Sequence, residues 1–371
     1  RRGARRMEEA PSGRPRRRAS PGRRREPLLD GLIRYTNSKA QSHRVILFKP
    51  RLESCDFGGW LATTVCALRG RTPLHILPPL ALVVFQALAI AVCSDRRWMG
   101  DWALRVPEAL ALQEGAKLLI VPVSFLLVFR LNRAAVRFYD ARAAFGSVIH
   151  VCRVLASQAV AYGAQNVEAR DDMCRWVVAF PVATRNYLRA EAPDVGRELA
   201  GVLSPDESAA LQRAEVQPLL CLDRMRRAAL AAARSNAADA EAVSAAALRS
   251  MEDNLGTLTG AMGAMERINN TPLPFAYVAH LRTFMLFYLL FLPWALTASY
   301  GPLGSPVITF LVALAMLGIE GAAVACERPF GTNANHLPMD AFCRTVARNV
   351  AQSLDQAEDF AGAPASRTPK E

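Results

Sequence analysis

Four apolar runs set the terms on which this chain can fold. The first is Thr72 to Cys93, T-P-L-H-I-L-P-P-L-A-L-V-V-F-Q-A-L-A-I-A-V-C, and the others occupy about 110–129, 275–296 and 306–326. A helix needs about 20 predominantly apolar residues to cross the hydrocarbon of a bilayer, and each run is about that long. Hydrophobic residues make up 51% of the chain, and much of that share is bunched into these runs rather than spread along a globule. The expected fold is all-α and integral to a membrane, with four transmembrane helices per subunit.

The flanks of the runs refine this. Asp95 to Asp101, with Arg96, Arg97, Trp98 and Trp102, reads as a charged turn with interfacial aromatics. Gln113, Glu114 and Lys117 are unsuited to lipid, so the early part of the second run is expected in a loop or interface. The remaining helix would then start inside the membrane and aim its positive end at a pore. Pro272 and Pro274, in T-P-L-P, break the helix ahead of the third run and fix its angle of approach. Y-G-P-L-G-S-P, Tyr300 to Pro306, marks the turn into the fourth run.

Residues 134–267 hold no span and read as a long, soluble, amphipathic helical region. Within it, Ser204, Pro205 and Glu207 form a capping box, with proline at the first helical position, so a helix should start there. Ala228 to Leu248 is alanine-rich, which favours helix but specifies packing poorly. Ahead of the first run, Trp60 and the following L-A-T-T-V-C-A-L-R are expected to form a short helix at the membrane surface.

Charge and cysteine content exclude several function classes. The formal charge is +12, but the first 25 residues hold eleven Arg against Glu8 and Glu9, a net of +9, and subtracting it leaves only +3 elsewhere. A basic tail without a recognition motif or aromatic platform is not a nucleic-acid surface. Residues 1–48 are read as a disordered basic segment, near anionic lipid or a targeting remnant, and 351–371 as a C-terminal tail. The eight cysteines show no C-x-x-C spacing, so neither a zinc site nor a disulfide framework is indicated, and most should be small buried apolar residues. There is no phosphate-cradling glycine loop, no H-E-x-x-H and no G-x-S-x-G, so no enzyme activity, cofactor or metal is expected.

The informative stretch is Val121 to Arg142, V-P-V-S-F-L-L-V-F-R-L-N-R-A-A-V-R-F-Y-D-A-R, which begins apolar and turns abruptly cationic. Val121, Phe125 and Phe129 recur every four residues and share one helical stripe, while Pro122 removes a backbone donor where the stripe starts. Read on periodicity alone, the stripe packs against other helices. Several copies around an axis would instead stack it into rings, a constriction of the kind that gates by dewetting. Arg130 and Arg133 either snorkel to the interface or form a cationic pore mouth, and Arg130 can equally pair with an acid on another helix. Glu320 is ionisable within an apolar run, and an arginine partner is expected for it ahead of a proton relay. His280 reads as a hydrogen-bonded interior histidine.

V-F-R-L-N followed by R-F-Y-D-A-R and Gly146 resembles the bestrophin family of anion channels, whose plant, algal and bacterial branch carries a similar Phe-Arg-Thr-Asn segment, here with Leu131 for the threonine. The likeness resumes at Glu266 to Trp294, and again with G-I-E, E-R-P-F-G and N-H-L-P-M-D-A-F-C between Gly318 and Cys343. It implies a channel domain over 49–350 and a homopentamer with a cytosolic or stromal vestibule. Val121, Phe125 and Phe129 would then be the neck, Arg130 and Arg133 its mouth, and Pro272, Pro274, His280 and Glu320 structural or gating residues. The implied activity is passive chloride conduction, with bicarbonate or nitrate as further ions; a bicarbonate-dedicated channel and a non-conducting scaffold are the alternatives. The plant-like features and the Arg-rich start favour a chloroplast thylakoid membrane, with the plasma membrane as alternative. Animal members carry a run of acids after Pro-Phe-Gly that clasps calcium, whereas here Asp340 is the only acid in the stretch that follows, so calcium gating is not expected.

Overall fold

The computed structural model describes residues 27–42, 72–95, 99–100, 109–191, 193–235, 241–333 and 335–361. The basic segment 1–26, the Trp60 helix and the turn residues Arg96, Arg97, Trp98 and Trp102 lie outside them. Among the described residues the regular structure is helical: α1 (Pro27–Ser42), α2 (Thr72–Ser94), α3 (Ala109–Tyr162), α4 (Val167–Arg189), α5 (Val195–Glu198), α6 (Pro205–Arg213), α7 (Gln217–Ser235), α8 (Glu241–Asn270), α9 (Phe275–Glu327) and α10 (Met339–Ala361).

Four segments of these helices are long and apolar enough to cross a membrane: Ile76–Ser94, Gln113–Tyr162, Phe275–Thr297 and Ser299–Glu327. The last two belong to α9, which breaks at Gly301, where φ is 70° and ψ 179°. That backbone geometry is nearly closed to residues with a Cβ, so the glycine in Y-G-P is what lets the chain turn back. Pro302 and Pro306 follow the break; the fourth span therefore starts several residues earlier than the apolar run alone marks.

α3 differs most from expectation. Gln113, Glu114 and Lys117 are not in a loop but in its first turns, where the Gln113 amide bonds Ser299 and Lys117 pairs with Glu114. The helix continues without a break through the membrane and into the soluble region, 54 residues in all. At 1.5 Å per residue it is about 80 Å long. One rigid rod therefore carries both the apolar stripe and the base of the soluble arm.

Two separate cores form along this rod. The membrane core gathers Val83 of α2, Val123 and Leu127 of α3, and Leu281, Leu289 and Leu317 of α9. The arm core gathers Phe145 and Leu155 of α3, Trp176 and Phe180 of α4, Leu222 of α7 and Leu255 of α8, with α10 closing it. The Ser204 box forms as expected, the hydroxyl accepting from Glu207 N and the Glu207 carboxylate from Ser204 N. Cys152, Cys174, Cys221 and Cys343 are buried in the arm as small apolar residues, and burial pushes the Cys343 thiol up to about 12.

Two boundary expectations are corrected. Within 1–48, residues 27–42 are helix, because Leu28, Leu29, Leu32 and Tyr35 recur at helical spacing and bury against the arm core. The expected tail from 351 is helix to Ala361, with Leu354 only 1% exposed. α1 packs on α10 of its own chain, and its Gly31 lies against Gly201 in the turn before α6. A Cβ on Gly31 would lie 1.7 Å from the Gly201 carbonyl oxygen, so no side chain fits. Gly31→Ala is expected to push α1 off the arm and cost about 1–3 kcal/mol, as overpacking does. Thermal melting and faster proteolysis within 27–42 would register it; a parental melting curve would count against this docking.

Candidate functional site

The site is built on α3. Val123, Leu127, Arg130, Ala134, Ala141 and Phe145 are all buried and follow steps of three, four or seven, so they form one inward seam. Val121, Phe125 and Phe129 fall on another face and are 56%, 61% and 56% exposed. The Phe125 and Phe129 rings stack along the helix with centroids 6.4 Å apart. Pro122 withdraws the N–H that would bond the Leu118 carbonyl at the top of the stripe. The stripe is thus turned away from the chain's own core, and packing within the protomer does not account for it. A contiguous apolar face of this kind is covered either by lipid or by other copies.

Arg133, one turn below Phe129, is exposed on the same stripe and makes no ion pair among the described residues. Arg130 is different: it is 0% exposed and is not at a mouth. One residue on from Phe129 means 100° around the helix, and that rotation carries the guanidinium into the inward seam. There its Nε donates to Glu320 at 3.3 Å and its Nη2 to Glu327 at 2.6 Å. Glu320 also accepts from Arg282 at 2.8 Å. The expected arginine partner of Glu320 is therefore present, twice over.

The cluster reaches further than the sequence suggested. Arg137, two turns beyond Arg130, donates to three carbonyl oxygens: Thr271 at 2.6 Å, Glu327 at 3.3 Å, and Ile268. Ile268 lies in the last turn of α8, Thr271 just beyond it, and Glu327 is the last residue of α9, so a single guanidinium satisfies carbonyls that a helix terminus leaves without partners. The Glu327 carboxylate also accepts from Leu273 N, in the segment carrying Pro272 and Pro274. Arg137 and Glu327 were missed as partners. The signal was present: Arg130 and Arg137 are seven apart on one helix, and Glu320 and Glu327 seven apart on another, a spacing that places each pair on one face.

His280 is also corrected. It is exposed on α9, with its ring 4.5 Å from that of Phe284, rather than hydrogen-bonded in the interior. The two prolines are exposed, and Pro274 starts α9 with no side-chain cap. Asp340 is committed elsewhere: its carboxylate accepts from Arg185 at 2.7 Å and Arg189 at 3.2 Å, and Arg185 is held in turn by Glu198 at 2.6 Å. Among the described residues no three carboxylate, histidine or cysteine side chains converge as a metal site would require. Below the stripe, α3 and α8 border an open groove of about 850 Å³, lined by Arg137, Asp140, Ser147, Thr257, Arg267 and Thr271.

The chain as a whole is similar to known proteins. The family model described as bacterial/fungal bestrophin protein matches residues 56–352. A voltage-dependent anion channel-forming protein of Nostoc is 30% identical over 257 residues, covering 67% of this chain and 80% of the relative. One from Synechocystis is 27% identical over 285 residues, covering 74% and 87%. The crystal structure of a bacterial bestrophin homologue from Klebsiella pneumoniae aligns with a TM-score of 0.62 at 25% identity, covering 76% of this chain and 98% of that one. With a helical membrane fold, apolar spans and a family match over most of its length, this integral membrane protein belongs to the bestrophin family.

Proposed function

We propose that this chain is the subunit of a passive anion channel, a homopentamer whose neck is lined by Val121, Phe125 and Phe129 and which conducts chloride down its electrochemical gradient, with bicarbonate and nitrate as further permeant ions. The observation that carries the reading is the outward-facing stripe on a helix whose opposite seam is fully buried. Repeated around an axis, it makes stacked rings of phenylalanine. Ring edges carry partial positive charge, so they tolerate a partly dehydrated anion and offer a cation nothing. Arg133, exposed one turn below and without an ion pair among the described residues, would raise the local anion concentration at the neck's exit. The names of the Nostoc and Synechocystis relatives, as anion channel-forming proteins, support the same assignment.

Those relatives come from bacteria and give no support to a plastid location. The test of function is anion efflux from proteoliposomes loaded with chloride, with the particle mass measured on the same sample. Efflux that scales with pentameric particles is the expected result. Correctly assembled particles without efflux would favour the non-conducting scaffold.

A further inference from the structure

The two hydrophobic cores do not meet along α3. The buried membrane core ends at Leu127 and the buried arm core begins at Ala141, and between them the seam carries Arg130 and the small Ala134, with Arg137 beside it. This gap is filled by directional contacts instead of apolar interdigitation. Among the described residues, the crossings between membrane and arm along α3, from α8 to α9 and at the end of α9 are tied into it. α3 contributes Arg130 and Arg137, the last turn of α8 contributes the Ile268 carbonyl, and the segment between α8 and α9 contributes the Thr271 carbonyl and Leu273 N. The end of α9 contributes both the carboxylate and the carbonyl of Glu327. Arg130 is adjacent in sequence to Phe129, so the azimuth at which Glu320 and Glu327 hold it fixes that of the stripe, 100° around the helix.

We propose that the Arg130–Glu320–Glu327 cluster, braced by Arg137, is a positioning joint that sets the rotation of α3 and so decides whether the Phe125 and Phe129 rings face the pore axis. This rests on the reading of the stripe as the neck. Packed cores are stiff and switch between discrete arrangements, so a rod spanning two of them articulates where packing gives way to charged contacts. Movement of the arm on α8 reaches the neck through Arg137 and Glu327. Arg130 touches no permeating ion and acts only through its neighbour. The Nη1 group of Arg130 is buried without a partner among the described residues, which leaves the guanidinium one nitrogen with which to re-pair as the joint shifts.

The test uses the full chain as assembled oligomers in planar bilayers. Glu327→Gln keeps the shape of the joint and removes one charge. It should change open probability roughly fivefold or more, the usual size of such couplings, while the order of anion permeabilities stays that of the parent. In a Phe125→Ala background the effect should disappear, because the joint acts through the rings. Parental open probability, or an effect undiminished in that background, would overturn the proposal. Phe125→Ala with an unchanged permeability order would sink the neck reading separately.

A second readout needs no current. The reaction rate of Phe129→Cys with a water-soluble thiol reagent, corrected for the parent's own cysteines, should shift by a similar factor on adding Glu327→Gln or, should that variant not assemble, Arg137→Lys. An unchanged rate would overturn the proposal.

Discussion

Replacing Arg130 by methionine will destabilise the assembled protein by about 3–5 kcal/mol, the usual cost of removing one partner from a buried ion pair. The expectation follows from burial. Arg130 is fully enclosed, and Glu320 and Glu327 have side chains only 8% and 16% exposed. Removing the guanidinium strips Glu327 of its 2.6 Å partner and leaves Glu320 with Arg282 alone. Neither carboxylate can recover its lost solvation, so the loss is of charge compensation rather than of packing. Adding Glu320→Gln and Glu327→Gln to the methionine variant should restore most of the stability, since a neutral cluster of similar volume carries no stranded charge. Lys117→Ala supplies an internal control. Its pair with Glu114 leaves the two side chains 68% and 60% exposed, and screened surface pairs of this kind contribute about 0–1 kcal/mol. Thermal melting of all three variants measures the contrast. A methionine variant as stable as Lys117→Ala would contradict the network as described.

The second large effect is on permeation. Phe125→Ala is expected to raise unitary conductance and to flatten discrimination among anions. Phe125 is 61% exposed on the protomer, and truncating it removes the ring that stacks on Phe129. Aromatic edge contacts are worth about 0.5–1.5 kcal/mol each. A change of about 1.4 kcal/mol in relative barrier height alters a rate ratio tenfold, so the expected change in the iodide-to-chloride permeability ratio is roughly three- to tenfold. Stability should barely change, because the side chain contributes nothing to the protomer's core. This opposite pattern, permeation altered and stability kept, separates the stripe from the seam one residue away. An unchanged ratio would return the stripe to lipid or helix contacts.

The membrane architecture was legible because a bilayer demands uninterrupted apolar length, and that requirement is written directly into the residues. The Ser204 capping box and the glycine turn at Gly301 were equally local, each decided within a few positions. What could not be read was azimuth. Phe129 and Arg130 are neighbours in sequence yet lie 100° apart around the helix, and which faces the core depends on α9, some 190 positions away. The same holds for His280, whose exposure is set by how α9 leans on its partners. α1 was obscured for a different reason. The arginines preceding it dominate the composition, although L-L-x-x-L-x-x-Y from Leu28 to Tyr35 carries the helical spacing plainly. Gln113, Glu114 and Lys117 illustrate a third limit: such residues exclude contact with lipid but leave loop and interface open, and the partner that decides, Ser299, lies 186 positions away.

The most direct test of the account is the reversal potential of the purified, assembled protein in a planar bilayer under a potassium chloride gradient. An anion-selective neck places the reversal near the chloride equilibrium potential and moves it when bicarbonate or nitrate replaces chloride on one side. A reversal near the potassium equilibrium potential, or silence from correctly assembled oligomers, would contradict it.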